Sequence, residues 1–497
     1  MSERREGTEA SGGTGSPEKA PRRWLVLSAV SVGTFMATLN TSIVNVSLPT
    51  IGEEFGVGVS GVEWIVISYL LATGTLLLTF GRLGDVAGYR KTYVLGFALF
   101  TLAGTASGLA GGLVSLTALR VLQGIGAAAV QAVGPAIISS TFGAKERGKA
   151  LGVNAISVSV GLALGPTLGG VIAEVASWRW IFFINLPIGL AGLLWVLRVL
   201  PNDARRSGQS FDPLGAVLAG AALFLFLFAV VEGARWGWSS PTILILFAAS
   251  LVLGAVFVLV ELRIAQPMFD LGLFRIRAFA AGNFSLLAAF VALLSATFLM
   301  PFFLQSAQGL SVLKAGLLIT PLSLTALVVA PFSGALSDRI GTRALSTAGL
   351  GFIALGLFTL TGIDLDTSAP GVVWRLVIVG FGLGLFGSPN QSAILGSVPA
   401  PRLGTASGTI AQMRITGQVL GVAASGAILS ATLPDYTRDL AARLPEAAAR
   451  SEALVLSIQD ALYFSAALAL LGMLASLFRG RPAGKTDPSR QTEPAGQ

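Results

Sequence analysis

Long apolar runs constrain this chain more than any other feature it has. Fourteen of them occur, at about 24–49, 62–80, 92–110, 113–141, 150–173, 179–199, 213–232, 241–262, 279–303, 312–336, 344–363, 372–397, 404–431 and 459–478. A helix needs about 20 mostly apolar residues to cross the hydrocarbon core of a bilayer, and each run is near that length. The runs are too long for membrane strands and lack their alternation of apolar and polar residues. Charged residues make up only 12% of the chain, about half the ~25% typical of soluble domains. The expectation is an all-α polytopic membrane protein with 14 transmembrane helices.

The charges between the runs set an orientation. Placing the N-terminus inside puts 24 of the 33 Lys and Arg residues in inner loops and tails and 7 outside, with Arg120 and Arg414 left within spans. Inner loops are enriched in Lys and Arg in membrane proteins, so both termini are expected to be cytoplasmic. The net charge of +8 is thereby read as a topology signal rather than a sign of nucleic-acid binding. The polar stretch 1–21 precedes a run too long for a cleaved signal peptide, and is read as a tail followed by an uncleaved first helix.

The chain contains no Cys and no His. Disulfides, thiolate chemistry and Cys-based metal sites are excluded, and any proton chemistry falls to carboxylates. No catalytic constellation, phosphate-binding loop or metal-ligand cluster is present, so the reading is not an enzyme and needs neither cofactor nor metal.

A repeat organises the spans. GRLGDVAGYR (81–90) returns as GALSDRIGTR (334–343), offset by 253, and Gly148, Gly152, Gly161, Gly165 and Gly170 return as Gly404, Gly408, Gly417, Gly421 and Gly426, offset by 256. Spans 1–6 and 9–14 are therefore two copies, with spans 7 and 8 inserted. Parallel repeats of this kind build transporters from two bundles about an axis normal to the membrane. The expected division is a cytoplasmic tail (1–21), an N-terminal six-helix bundle (22–200), two inserted helices with an inner amphipathic linker (201–275), a C-terminal six-helix bundle (276–480) and a second cytoplasmic tail (481–497).

On these strings the chain resembles the major facilitator superfamily, in particular its 14-helix drug:H⁺ antiporter group. GRLGDVAGYRK (81–91) resembles the loop signature between helices 2 and 3. LRVLQGIGAA (119–128) resembles the helix 4 signature, and GLALGPTLGG (161–170) the helix 5 signature of antiporters. TSIVNVSLPTI (41–51), WRWIFFINLPIG (178–189) and DLGLFRIRAF (270–279) are similar to further strings of that group. The resemblance implies a major facilitator fold in the cell membrane and export of small lipophilic drugs or antibiotics by alternating access, driven by proton antiport. It implies no obligate protein partner.

Site expectations follow from the same strings. The resemblance makes Gly81, Asp85, Gly88, Arg90 and Lys91, with Asp338 and Arg339 in the second copy, a cytoplasmic gate, Asp85 sitting at a helix N-terminus of the other bundle. Val86 and Tyr89 stand where the signature has Arg. Arg120 and Gln123, with Asn40, are assigned to the translocation and proton-coupling region, because an Arg in mid-membrane needs a partner or a wet cavity; the alternative is a structural Arg bonded to carbonyls. Gly161, Gly165, Pro166, Gly169 and Gly170 form the helix 5 motif, whose small-residue face permits close helix contact. Arg414, Asn390 and Gln412 are further cavity candidates. Asn40 replaces the usual helix 1 Asp and cannot titrate, which favours neutral or anionic substrates and leaves a second reading open: a narrow-specificity metabolite transporter without proton coupling. A non-transporting membrane sensor is a third. Glu63, Glu174 and Glu232, near helix ends, are read as interfacial and solvated, and 433–458 as a surface helix.

Overall fold

The computed structural model describes residues 20–201, 213–263, 271–399 and 402–479. Most of the two tails and of the linkers on either side of the inserted helices falls outside that range. Among the described residues thirteen helices are long and apolar enough to cross a membrane. The Tyr89–Ser107 helix, whose start carries Arg90 and Lys91, supplies the fourteenth span.

The spanning helices are α1 (Ala20–Ile43), α2 (Val59–Ala87), α3 (Tyr89–Ser107), α4 (Leu113–Thr141), α5 (Ala144–Val175) and α6 (Asn185–Val199) in the first copy. The inserted pair is α7 (Pro213–Trp236) and α8 (Pro241–Glu261). The second copy holds α9 (Arg277–Pro301), α10 (Val312–Ile340), α11 (Thr342–Leu360), α12 (Ala369–Gly396), α13 (Leu403–Ala441) and α14 (Glu446–Leu477). The face at which α1 begins is the proximal face, and the opposite one the distal face.

The repeat is visible in backbone detail. Gly88 joins α2 to α3 at φ 106°, and Gly341 joins α10 to α11 at φ 90°; each donates its N–H to the carbonyl four residues back, Gly84 and Ser337. Positive φ is a conformation that glycine alone adopts without steric cost. In the first copy Gly161 and Gly165 let α5 lie against the α1 backbone at Phe35 and Ile43; in the second, Gly417 and Gly421 let α13 lie against α9 at Leu287 and Val291. Beyond each of those partner helices regular α geometry breaks, into a 3₁₀ turn at Asn45–Ser47 and a π turn at Phe302–Ala307.

Two seams join the bundles, α5 with α10 and α2 with α13, and α7 packs against α2 and α13. One expectation is corrected here. The stretch 433–458 is not a separate surface helix: α13 runs on to Ala441 and α14 begins at Glu446. At about 1.5 Å per residue, the 39 residues of α13 outrun the bilayer core, so the charged residues ride on protruding ends of spanning helices.

Candidate functional site

A cavity of about 880 Å³ lies between the two bundles. Its wall runs from Asn45 and Val46 at the distal end of α1 to Lys149 near the start of α5, Gly334 near the end of α10 and Ser407 near the start of α13. Those last three belong to proximal helix ends, so the cavity extends toward the proximal face. Leu162, Leu293, Phe290, Ile319 and Phe386 make its body apolar, with Asn154, Gln131, Gln391 and several hydroxyls between them.

The distal half is closed by contacts between bundles. Gly170 and Gly316 bring α5 and α10 to backbone contact: a Cβ on Gly170 would stand 3.0 Å from the Val312 carbonyl oxygen, and one on Gly316 would run into that of Pro166. The Thr167 and Thr320 hydroxyls hydrogen-bond at 2.5 Å. Glu174 accepts the Leu313 N–H at the start of α10 (3.3 Å), where the helix dipole favours an anion. Gln305 donates to the Val46 carbonyl (2.7 Å) and accepts from Thr50 (3.4 Å). The helix 5 motif therefore serves two neighbours: Gly161, Gly165 and Gly169 face α1, while Pro166 and Gly170 face α10.

Arg120, Gln123 and Asn40 do come together, but inside the first bundle and not on the cavity wall. Arg120 is fully buried. It donates to the Ile65 carbonyl (3.0 Å) and to Gln123 Oε1 (2.6 Å), and its guanidinium lies over the Tyr69 ring at 4.2 Å. Gln123 donates to Asn40 Oδ1 (2.9 Å), Asn40 donates to Asn185 Oδ1, and Asn185 donates to the Phe182 carbonyl (2.9 Å). Every donor in this chain points away from Arg120, so one relay ties α4, α1 and α6. An amide at position 40 fits because it accepts from Gln123 and donates to Asn185 at once. An ionised carboxylate has no hydrogen to donate.

Of Arg414, Asn390 and Gln412, it is Arg414 that lines the cavity. It donates to Gln131 Oε1 of α4 at 3.0 Å, across the bundles. Asn390 faces α9 and the α14 end, donating to the Gly282 carbonyl (3.1 Å) and accepting from Arg479. Gln412 is buried and reaches Thr416. Neither lines the cavity. Gln131, Asn45 and Asn185 went unremarked or unpaired in sequence; Gln131 and Asn45 sit on cavity-facing turns, and Asn185 meets a partner 145 residues away.

The gate residues are also placed differently. Asp85 accepts from the Tyr89 hydroxyl (2.6 Å) and pairs with Arg82 at 3.6 Å, both in its own bundle, rather than meeting a helix end of the other bundle. Tyr89, the departure from the signature, is thus the tighter partner of the acid. Gly81 approaches Ala132 of α4, Arg90 donates to the Leu197 carbonyl (3.0 Å), and Lys91 and Arg339 are exposed. The Asp338 side chain lies outside the described residues.

Two of the three acids read as solvated are not. Glu63 is 6% exposed and Glu232 4%. They sit near the distal ends of α2 and α7, where Trp64 and Phe228 pack at 5.9 Å between ring centres. Glu232 and Arg235 are the charges of α7 that act on Glu63, and the Glu63 carboxyl rests against Gly426 of α13. Glu174 is exposed, as expected.

Two repeated six-helix bundles around a central cavity are an architecture of membrane transporters. Residues 30–422 match the model of the Major Facilitator Superfamily, and the chain belongs to that family. It is 32% identical to the riboflavin transporter RibZ of Clostridioides difficile (strain 630), over 94% of this chain and 99% of that one. It is 37% identical to the multidrug resistance protein Stp of Mycobacterium tuberculosis, over 82% of this chain and 76% of that one. Among solved structures, an inward-facing, occupied bacterial homologue of the human lysosomal transporter Spinster covers 93% of this chain and 97% of its own at a TM-score of 0.67, with 16% identity.

Proposed function

We propose that this protein exports small lipophilic compounds across the cell membrane by alternating access coupled to proton antiport, with both termini cytoplasmic. One observation carries the reading: an apolar cavity between the bundles reaches the proximal ends of its helices and is closed distally by backbone contact between α5 and α10. Its volume lies within the roughly 300–1,000 Å³ of small-molecule sites. With the proximal face cytoplasmic this is the inward-facing state, and Asp85 held by Arg82 and Tyr89 is the released form of the gate. The relative named as a multidrug resistance protein supports the substrate class.

The Asn40 amide cannot carry the proton. Glu63 and Glu232 are acids buried at helix level beside the α2–α13 seam, whose rearrangement alternating access requires, and they are the carriers that fit antiport. The test is compound-driven dissipation of a proton gradient in inverted vesicles, read by a fluorescent pH reporter. The parent is expected to respond to lipophilic compounds, and Glu63→Gln to lose the response while still binding them. A Glu63→Gln variant that dissipates the gradient like the parent removes Glu63 from the coupling. Transport with no proton movement in the parent favours the second reading, an uncoupled metabolite transporter, to which the riboflavin-transporting relative lends support.

A further inference from the structure

The charge on the cavity wall is one-sided. Among the described lining residues the charged ones are Lys149 and Arg414, and no Asp or Glu is present. Neither cation forms an ion pair among the described residues. Arg414 is half-buried and is bonded to the neutral Gln131 amide, while Lys149 lies 5.7 Å from the Trp24 ring centre. At the proximal end of the first bundle, among the described residues, Glu146 is engaged with Arg23 at 2.8 Å and Asp85 with Arg82 and Tyr89.

The two cations stand at different depths. Arg414 is eleven residues into α13, about 16 Å from its proximal end, and Lys149 five residues into α5, about 8 Å from its own, at ~1.5 Å per residue. A guanidinium on an apolar wall without a counter-ion bears a desolvation cost that a bound anion offsets, and low-dielectric walls strengthen that attraction. A cation of equal size meets the opposite field with no carboxylate among the described lining residues to hold it.

We infer that the cavity selects amphipathic monoanions, molecules with a carboxylate, sulfonate or acidic phenolate on an aromatic or polycyclic body, over cations of the same size. The anionic head is received by Arg414 and the apolar body by Phe290, Leu293, Ile319 and Phe386, with Lys149 drawing the anion in from the mouth. This rests on the cavity being the substrate site, as proposed above.

Tetraphenylborate and tetraphenylphosphonium share size and shape and differ in sign, so they isolate the charge. Their binding is measured by calorimetry on the full chain in nanodiscs of zwitterionic lipid, with empty discs subtracted. The parent is expected to bind the borate at least tenfold more tightly, Arg414→Gln to lose most of that preference, and Arg414→Lys to keep it. Equal affinities, tighter phosphonium binding, or a preference unchanged in the Arg414→Gln, Lys149→Gln double variant would overturn the inference. Binding of neither ion overturns both it and the cavity's assignment as the site. Anion binding without movement of any amphipathic anion in proteoliposomes refutes export but leaves the charge preference standing.

Discussion

Replacing Gly316 with leucine is expected to abolish the proposed export while leaving the protein folded and in the membrane. Gly316 sits where α10 crosses Pro166 and Gly170 of α5, and even a Cβ there would run into the Pro166 carbonyl oxygen and stand 3.2 Å from the Gly170 Cα. Backbone atoms cannot rotate aside as a side-chain tip does. Within a bundle, such overpacking costs about 1–3 kcal/mol. Here the obstacle lies between bundles, which can separate instead of absorbing the strain. The distal closure is therefore lost first, and with it the state open to the proximal face. Efflux of a lipophilic dye should fall to background, and cysteines introduced on the distal wall should become reactive from outside. Gly316→Ala should be intermediate. Full transport by Gly316→Leu would show that α5 and α10 need not touch in the cycle.

Arg120 carries the second large effect, and magnitudes give it an unexpected order. Removing the side chain leaves Gln123 Oε1 without its donor, a loss of about 1–3 kcal/mol, and removes a desolvated cation–π contact worth about 2 kcal/mol. Against this, an Arg in mid-membrane costs about 2.5–3.5 kcal/mol on insertion scales. The terms nearly cancel for Arg120→Leu, which should melt close to the parent. Arg120→Lys keeps the charge in the same dry place but has one compact ammonium where the guanidinium bonds Ile65, bonds Gln123 and stacks on Tyr69. Lysine should be the less stable variant. Transport should fall several-fold in both, because the relay through Gln123 and Asn40 to Asn185 loses its fixed head and α1, α4 and α6 no longer move as one body. Thermal melts in detergent with dye efflux test the order; a leucine variant melting well below the lysine variant contradicts it.

The span count and the repeat were legible because both depend on local sequence. Run length sets a bilayer crossing, and the glycine spacings that let α5 lie on α1 also let α13 lie on α9. The glycines at 88 and 341 stood in duplicated strings because each needs a positive φ. Which side of a helix faces the cavity was not legible. Arg120 and Arg414 are both isolated cations in apolar spans, yet one turns into its own bundle and the other into the space between bundles. No periodicity separates those two faces when both are apolar. Glu63 and Glu232 were misread because distance from a helix end reports depth but not lateral cover, and the α2–α7–α13 junction supplies that cover. The intrabundle partner of Asp85 was not legible because Tyr89 stands where the family signature has arginine.

The most direct test of alternating access uses the absence of cysteine from the chain, which makes any introduced pair unique. Thr167 and Thr320 meet hydroxyl to hydroxyl across the α5–α10 seam at 2.5 Å. The Thr167→Cys, Thr320→Cys variant should cross-link on mild oxidation, hold the distal side shut and lose dye efflux, and reduction should restore it. A cross-linked protein that exports at the reduced protein's rate would contradict the account, because substrate would then be crossing without the seam opening.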